Sequence, residues 1–245
     1  MKKVILIFAV LLAACSSDED QFSLGEERVV KKVTLNTEVI MASEANPIMQ
    51  RRSSCSFPAL YEHAIPSTFN VYFIPTDGSE MVTYANVETG RTVFELLDTK
   101  YKVVVTNSTA TNRWELPQSS DVLLLFGENT VDFATTENVD VTVTNDYASI
   151  MVVKNKAIST APVFGQTPLN DFGTYYNLYY RSGDGTTSVT GDLGINNWAH
   201  TVPVSVMPNE VARFMICAED GLNIILDGNI LTGTTDTTID RNNAS

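Results

Sequence analysis

Cys15 is the one residue in this chain whose neighbours prepare it for chemistry. Lys2 and Lys3 give a positive start, Val4 to Leu12 are unbroken apolar residues, and Ala13 and Ala14 are the small residues a signal peptidase requires. This is the layout of a secretory signal, with removal expected between Ala14 and Cys15. The apolar stretch falls short of the about 20 residues a membrane-spanning helix needs. Cutting there leaves a cysteine at the new amino terminus, with a free thiol and a free amine side by side.

The run Leu12-Ala-Ala-Cys15 resembles a bacterial lipobox. That resemblance implies diacylglyceration of the Cys15 thiol, loss of residues 1–14 and acylation of the new amino terminus. One acyl chain holds a protein only marginally, whereas several make a lasting anchor. Ser16-Ser17-Asp18-Glu19-Asp20 follows at once, an acidic run kept extended by self-repulsion. It resembles the export signal that some Gram-negative anaerobes place after a lipidated cysteine. The resemblance implies an outer-membrane lipoprotein facing outward, with residues 15–27 as its tether.

No comparable chemistry appears in the body. His63 and His200 lack a second His or Cys at metal-ligand spacing. No nucleophile elbow, phosphate loop, dinucleotide fingerprint or zincin motif occurs. Gly183-Asp184-Gly185 lacks the alternating acids and closing glutamate of a calcium loop and reads as a turn. The chain is therefore expected to have no catalytic residues, no metal and no cofactor. Aromatic side chains are the stronger candidates for contact. Strand alternation would put Tyr175 and Tyr179 on one face and Tyr176 and Tyr180 on the other. Tyr176 and Tyr180, with Trp114 and Trp198, form a candidate set for stacking on sugar rings or a partner surface.

Charge narrows the partners further. Residues 1–14 carry two Lys and no acid, so without them 14 basic residues face 29 acidic ones, a net charge of −15. Such a body repels phosphate backbones, which excludes nucleic acid as a partner. Hydrophobic residues make up 44% of the chain, enough for a packed core. Once Cys15 is lipidated, Cys55 and Cys217 remain, either as a disulfide or as two separate thiols.

The elements that must carry these residues are strands. Val29–Met41, Thr68–Ile74, Met81–Val87, Thr92–Leu97, Tyr101–Thr106, Asp121–Phe126, Val139–Thr144, Ala148–Val153, Tyr175–Tyr180, Thr186–Thr190, Val202–Met207 and Val211–Ala218 are short β-branched or alternating runs broken by turn residues. Glu88-Thr89-Gly90-Arg91 reads as a hairpin loop, and Asp227-Gly228 as a two-residue hairpin turn inside Leu222–Leu231. The fold class is all-β, an antiparallel β-sandwich. Residues 41–58, with the dibasic Arg51-Arg52, form an expected exposed loop. The Pro- and Gly-containing stretch 154–172 is the expected boundary between an amino-terminal sandwich (28–155) and a carboxy-terminal β-rich domain (156–245), unless one sandwich carries a long crossover.

From Asn70 to Asn107 the chain reads NVYFIPTDG, then a turn, then TVFELLDTKYKVVVTNS, and Val141–Asn155 reads VTVTNDYASIMVVKN. These stretches resemble fimbrillin-type lipoproteins of Gram-negative anaerobes, although Asp98-Thr99-Lys100-Tyr101 stands where that family often has Pro-Ala-Gly-Xaa-Tyr. The resemblance implies transthyretin-like seven-stranded sandwiches, usually two in tandem, acting as stalk, anchor or tip subunits of surface pili. It also implies that pilus subunits can join by strand addition after a protease cuts beyond the first strand, for which Arg51-Arg52 is the matching position. Three roles follow: an anchor or accessory subunit in adhesion and assembly, a stalk subunit matured at Arg51-Arg52, or a lipoprotein that binds glycan or a host surface.

Overall fold

The computed structural model describes residues 29–40, 65–154, 156, 158–196, 201–219, 223–230 and 237–240. Cys15, Arg51, Arg52, Cys55, His63, Trp198 and His200 lie outside them. The described residues are all-β, with no α-helix.

Seven strands form the first sheet: β1 (Val30–Ile40), β2 (Thr68–Pro75), β3 (Val82–Glu88), β4 (Gly90–Leu97), β5 (Lys100–Thr106), β7 (Leu125–Asp132) and β8 (Asn138–Asn145), in the order β3-β2-β5-β7-β8-β1-β4. The two-residue β6 (Ser119–Ser120) belongs elsewhere. β3 and β4 are the two ends of that order, yet Tyr84 of β3 and Phe94 of β4 bring their rings to 4.5 Å. Phe73 of β2 meets Phe94 at 5.1 Å and Tyr101 of β5 at 6.0 Å. The sheet therefore folds over into two leaves, β3-β2-β5-β7 and β8-β1-β4, with aromatic rings between them.

The fold-over explains why the expected hairpin at 88–91 is absent. β3 pairs with β2, and β4 pairs with β1. Gly90, at φ +105, lets the chain step from one leaf to the other, so the two strands face each other through side chains. β1 runs antiparallel to β4 but parallel to β8. Its apolar residues Val33 and Leu35 are fully buried.

β7 and β8 approach so closely that a Cβ added to Gly127 would lie 2.5 Å from the Thr142 backbone oxygen. Gly127→Ala is expected to destabilise the protein by about 1–3 kcal/mol, because backbone rather than a side-chain tip must move. A denaturation midpoint unchanged from the parent would contradict this.

After β8 the chain changes sheets between Asn145 and Ala148, one strand before the expected boundary. β9 (Ala148–Val153) lies between β13 (Tyr175–Tyr180) and β16 (Val211–Glu219). The second sheet continues through β17 (Asn223–Ile230) and β18 (Thr237–Asp240), with β12 (Asn170–Asp171) and β6 both along the outer edge of β13. The third sheet holds β10 (Val163–Phe164), β11 (Thr167–Pro168), β14 (Val189–Gly194) and β15 (Val202–Val206), in the order β11-β10-β14-β15. Ile150, Leu178 and Phe214 from one sheet pack with Phe164, Leu193 and Val204 from the other, giving a second core. Asp227-Gly228 makes no turn: it lies mid-strand in β17, paired with β16 on one side and β18 on the other. Flanking ladders outweigh the local turn preference.

Candidate functional site

Trp114 is the most exposed large apolar side chain among the described residues, at 74%. It stands on a single 3₁₀ turn, Arg113–Glu115, in the excursion between β5 and β7. Glu115 braces that turn: its carboxylate accepts from the Thr111 amide (2.8 Å), the Asn112 amide (3.2 Å) and the Asn112 side-chain amide (2.8 Å). These bonds, the Asn112 side chain foremost, hold the Glu115 carboxyl below its ordinary pKa. Lys102 of β5 donates to Asn112 Oδ1 (2.8 Å), pairs with Glu128 of β7 (2.9 Å) and sets its ammonium 5.6 Å from the Trp114 ring. The indole is thus presented by a fixed turn with a cation beside it.

The tyrosines of β13 behave differently. Alternation holds, with Tyr176 and Tyr180 facing the second core alongside Leu178. Tyr180 meets Phe164 edge-on at 5.2 Å, and Lys154 lies 4.5 Å over Tyr176 while also pairing with Asp171. Tyr179 enters the first core, and Tyr175 stacks on Phe172 at 5.3 Å. Of the three described residues in the predicted aromatic set, only Trp114 is largely in solvent.

The other tight assembly, which the sequence did not announce, lies where the chain leaves the first sheet for the second. Asp146 is 5% exposed and Arg181 is 2% exposed. Asp146 Oδ1 pairs with Arg113 Nη1, and Arg181 Nη1 donates to the backbone oxygens of Arg113 (2.8 Å) and Leu116 (3.3 Å). Tyr147, fully buried, donates its hydroxyl to Pro117 O (2.6 Å) and lies 6.0 Å beneath the Arg181 guanidinium. Burial pushes the Asp146 carboxyl above its ordinary pKa, and Arg113 and Arg181 pull it only part of the way back. The Tyr147 phenol is likewise raised, chiefly by burial. These groups tie the 113–118 excursion of the first half to the end of β13 in the second, and their chemistry is that of a structural clasp.

At Gly183-Asp184-Gly185 the turn is self-contained. Asp184 Oδ1 accepts from Ser182 Oγ (2.8 Å) and the amides of Thr186 (3.0 Å) and Thr187 (3.3 Å). Those bonds, the Thr186 amide foremost, depress its pKa. Among the described residues, no three His, Cys, Asp or Glu side chains gather as a metal site.

No protein-family model matches the chain. No curated protein matches it in sequence. Several solved structures resemble it. A provisionally assigned cell adhesion protein from Bacteroides eggerthii DSM 20697 has 10% identity and a TM-score of 0.38, over 83% of this chain and 96% of that one. Another, from Bacteroides fragilis NCTC 9343, has 10% identity and a TM-score of 0.36, over 84% and 99%. A provisionally assigned adhesin from Bacteroides ovatus ATCC 8483 has 13% identity and a TM-score of 0.30, over 96% and 89%.

Proposed function

We propose that the chain is a lipid-anchored outer-membrane protein, exposed at the cell surface, whose non-catalytic β body works by adhesion and assembly as an anchor or accessory subunit of a fimbria. The observation that carries this reading is Leu12-Ala-Ala-Cys15 at the end of a short apolar run, followed by Ser16-Ser17-Asp18-Glu19-Asp20. The all-β body supports it, because its sheets offer edges and a braced, exposed indole for contact. Mass spectrometry of the native protein tests it. The expected result is an intact chain beginning at an acylated Cys15. An unmodified amino terminus at Ser53 would overturn it.

That second outcome belongs to the stalk reading, which one structural observation favours. β1 precedes Arg51-Arg52 and sits inside a leaf, between β4 and β8, so a cut there would free an interior strand and leave a slot shaped for another. A glycan-binding role has less support, since Tyr176 and Tyr180 are committed to the second core.

A further inference from the structure

Open sheet edges invite pairing, and proteins usually blunt them with bulges, prolines or lysines. The two outer strands of the first sheet differ in this respect. β3 is blunted: its register with β2 shifts between Phe69 and Val71, and Asn86 takes φ +57. β4 is not. It runs in unbroken register with β1, from Val30–Leu97 to Thr37–Gly90, and contains neither proline nor lysine. Among the described residues it pairs on that side only.

Its side chains alternate cleanly. Phe94 and Leu96 point into the core, at 6% and 3% exposure, while Arg91, Val93 and Glu95 are exposed, Val93 at 54%. The order Arg-x-Val-x-Glu is complementary to itself. With an antiparallel second copy beside β4 and Val93 on the two-fold axis, Arg91 faces Glu95 of the other copy, Glu95 faces its Arg91, and the two valines meet at the centre. Centring the axis on Thr92 or Phe94 would instead set Val93 against a charge, and a register offset by one residue would set exposed residues of one copy beside core residues of the other, with the two cores on opposite faces of the sheet. Within the chain, Lys32 of β1 is already the cross-strand partner of Glu95. The added strand therefore continues an alternation of charge, Lys32, Glu95, Arg91. Opposite charges directly across an antiparallel pair stabilise it, and like charges destabilise it.

We propose that β4 is a homotypic docking edge, through which two copies of this chain join β4 to β4 about a two-fold axis at Val93. The three-stranded leaves of the two copies then form one continuous sheet, an isologous contact that closes on itself.

Charge exchange tests this on the full chain by sedimentation equilibrium. The parent is expected to dimerise. Arg91→Glu and Glu95→Arg each turn two attractive pairs into two repulsive ones, and each is expected to raise the dimer dissociation constant about tenfold or more. The double variant R91E/E95R restores complementarity and is expected to return to near the parent value. Whatever the amino terminus carries is common to all four chains, and the repulsion of Lys32 by Arg at position 95 is common to E95R and R91E/E95R, so the comparison of those two isolates the edge. All three positions changed or paired are exposed, and circular dichroism checks that the fold is kept. In a second measurement, Val93→Cys brings two thiols together on the axis, where directly opposed residues have a Cα spacing suited to a disulfide. Oxidation should then give a covalent dimer that the parent, with its own cysteines, does not form. A parent that stays monomeric, single variants that dimerise as the parent does, or a folded double variant that fails to recover would each overturn the proposal.

Discussion

Asp146→Ala is expected to cost about 3–5 kcal/mol and to split a single unfolding transition into two. The carboxylate is buried between Arg113 and Arg181, and its loss leaves the Arg181 guanidinium, 2% exposed, without that compensating charge. The pair itself need not be a net source of stability, since burial raises the Asp146 pKa despite both arginines. Breaking one side is what costs. A triple replacement by apolar residues, R113M/D146L/R181M, is therefore expected to lose much less than the single variant. The pH sign follows from the same shift. A carboxyl whose folded pKa is raised contributes stability below its unfolded pKa and loses it as pH rises through the folded value. Two transitions are expected because Arg181, at the end of β13, donates to backbone oxygens in the 113–118 excursion of the first half. Calorimetry of the parent and both variants checks this. Equal losses for the single and triple replacements would refute the argument.

How much of this was legible depended on whether a signal was local. Ala148–Val153 and Tyr175–Tyr180 appear as strands with the predicted bounds, because Ile150, Val152 and Val153 in the first and four tyrosines in the second favour the extended backbone. The two faces of the second strand follow from alternation alone. Asp121–Phe126 misled: its leucines enter the core at 123–125, but the strand runs on through polar Glu128-Asn129-Thr130, which pair with Val104, Val103 and Lys102. Neighbouring strands impose that extension, and composition does not show it. The turns at 88–91 and 227–228 failed for the same reason, since partners from distant parts of the chain outweighed a two-residue preference. The clasp was wholly hidden. Arg113, Asp146 and Arg181 are more than 30 residues apart in sequence, and nothing local to any of them marks a buried ion pair. One weak signal existed: a charged residue abutting an aromatic strand end at Tyr180-Arg181, a place where a charge is either solvated or paired.

A cut after Arg52 that removes β1 is expected to leave a body unable to hold its fold alone. β1 pairs with β4 along Val30–Thr37 and with β8 along Thr34–Ile40, so its removal breaks two ladders and separates β4 from the rest of its leaf. Val33 and Leu35 are 0% exposed, and burying each contributes about 1.5–3 kcal/mol. Each lost ladder hydrogen bond removes about 0.5–1.5 kcal/mol more. Together these exceed a large share of the about 5–15 kcal/mol that separates a folded domain from its unfolded chain. The cleaved chain should lose cooperative unfolding, and a peptide spanning Val30–Ile40 added in trans should restore it. The two readings of the function part here. A stalk subunit needs a neighbour's strand in place as soon as its own leaves, whereas an anchor keeps β1 and stays stable alone. A cleaved body that remains cooperatively folded without the peptide would show that β1 is dispensable, and would remove the physical reason for coupling cleavage to strand addition.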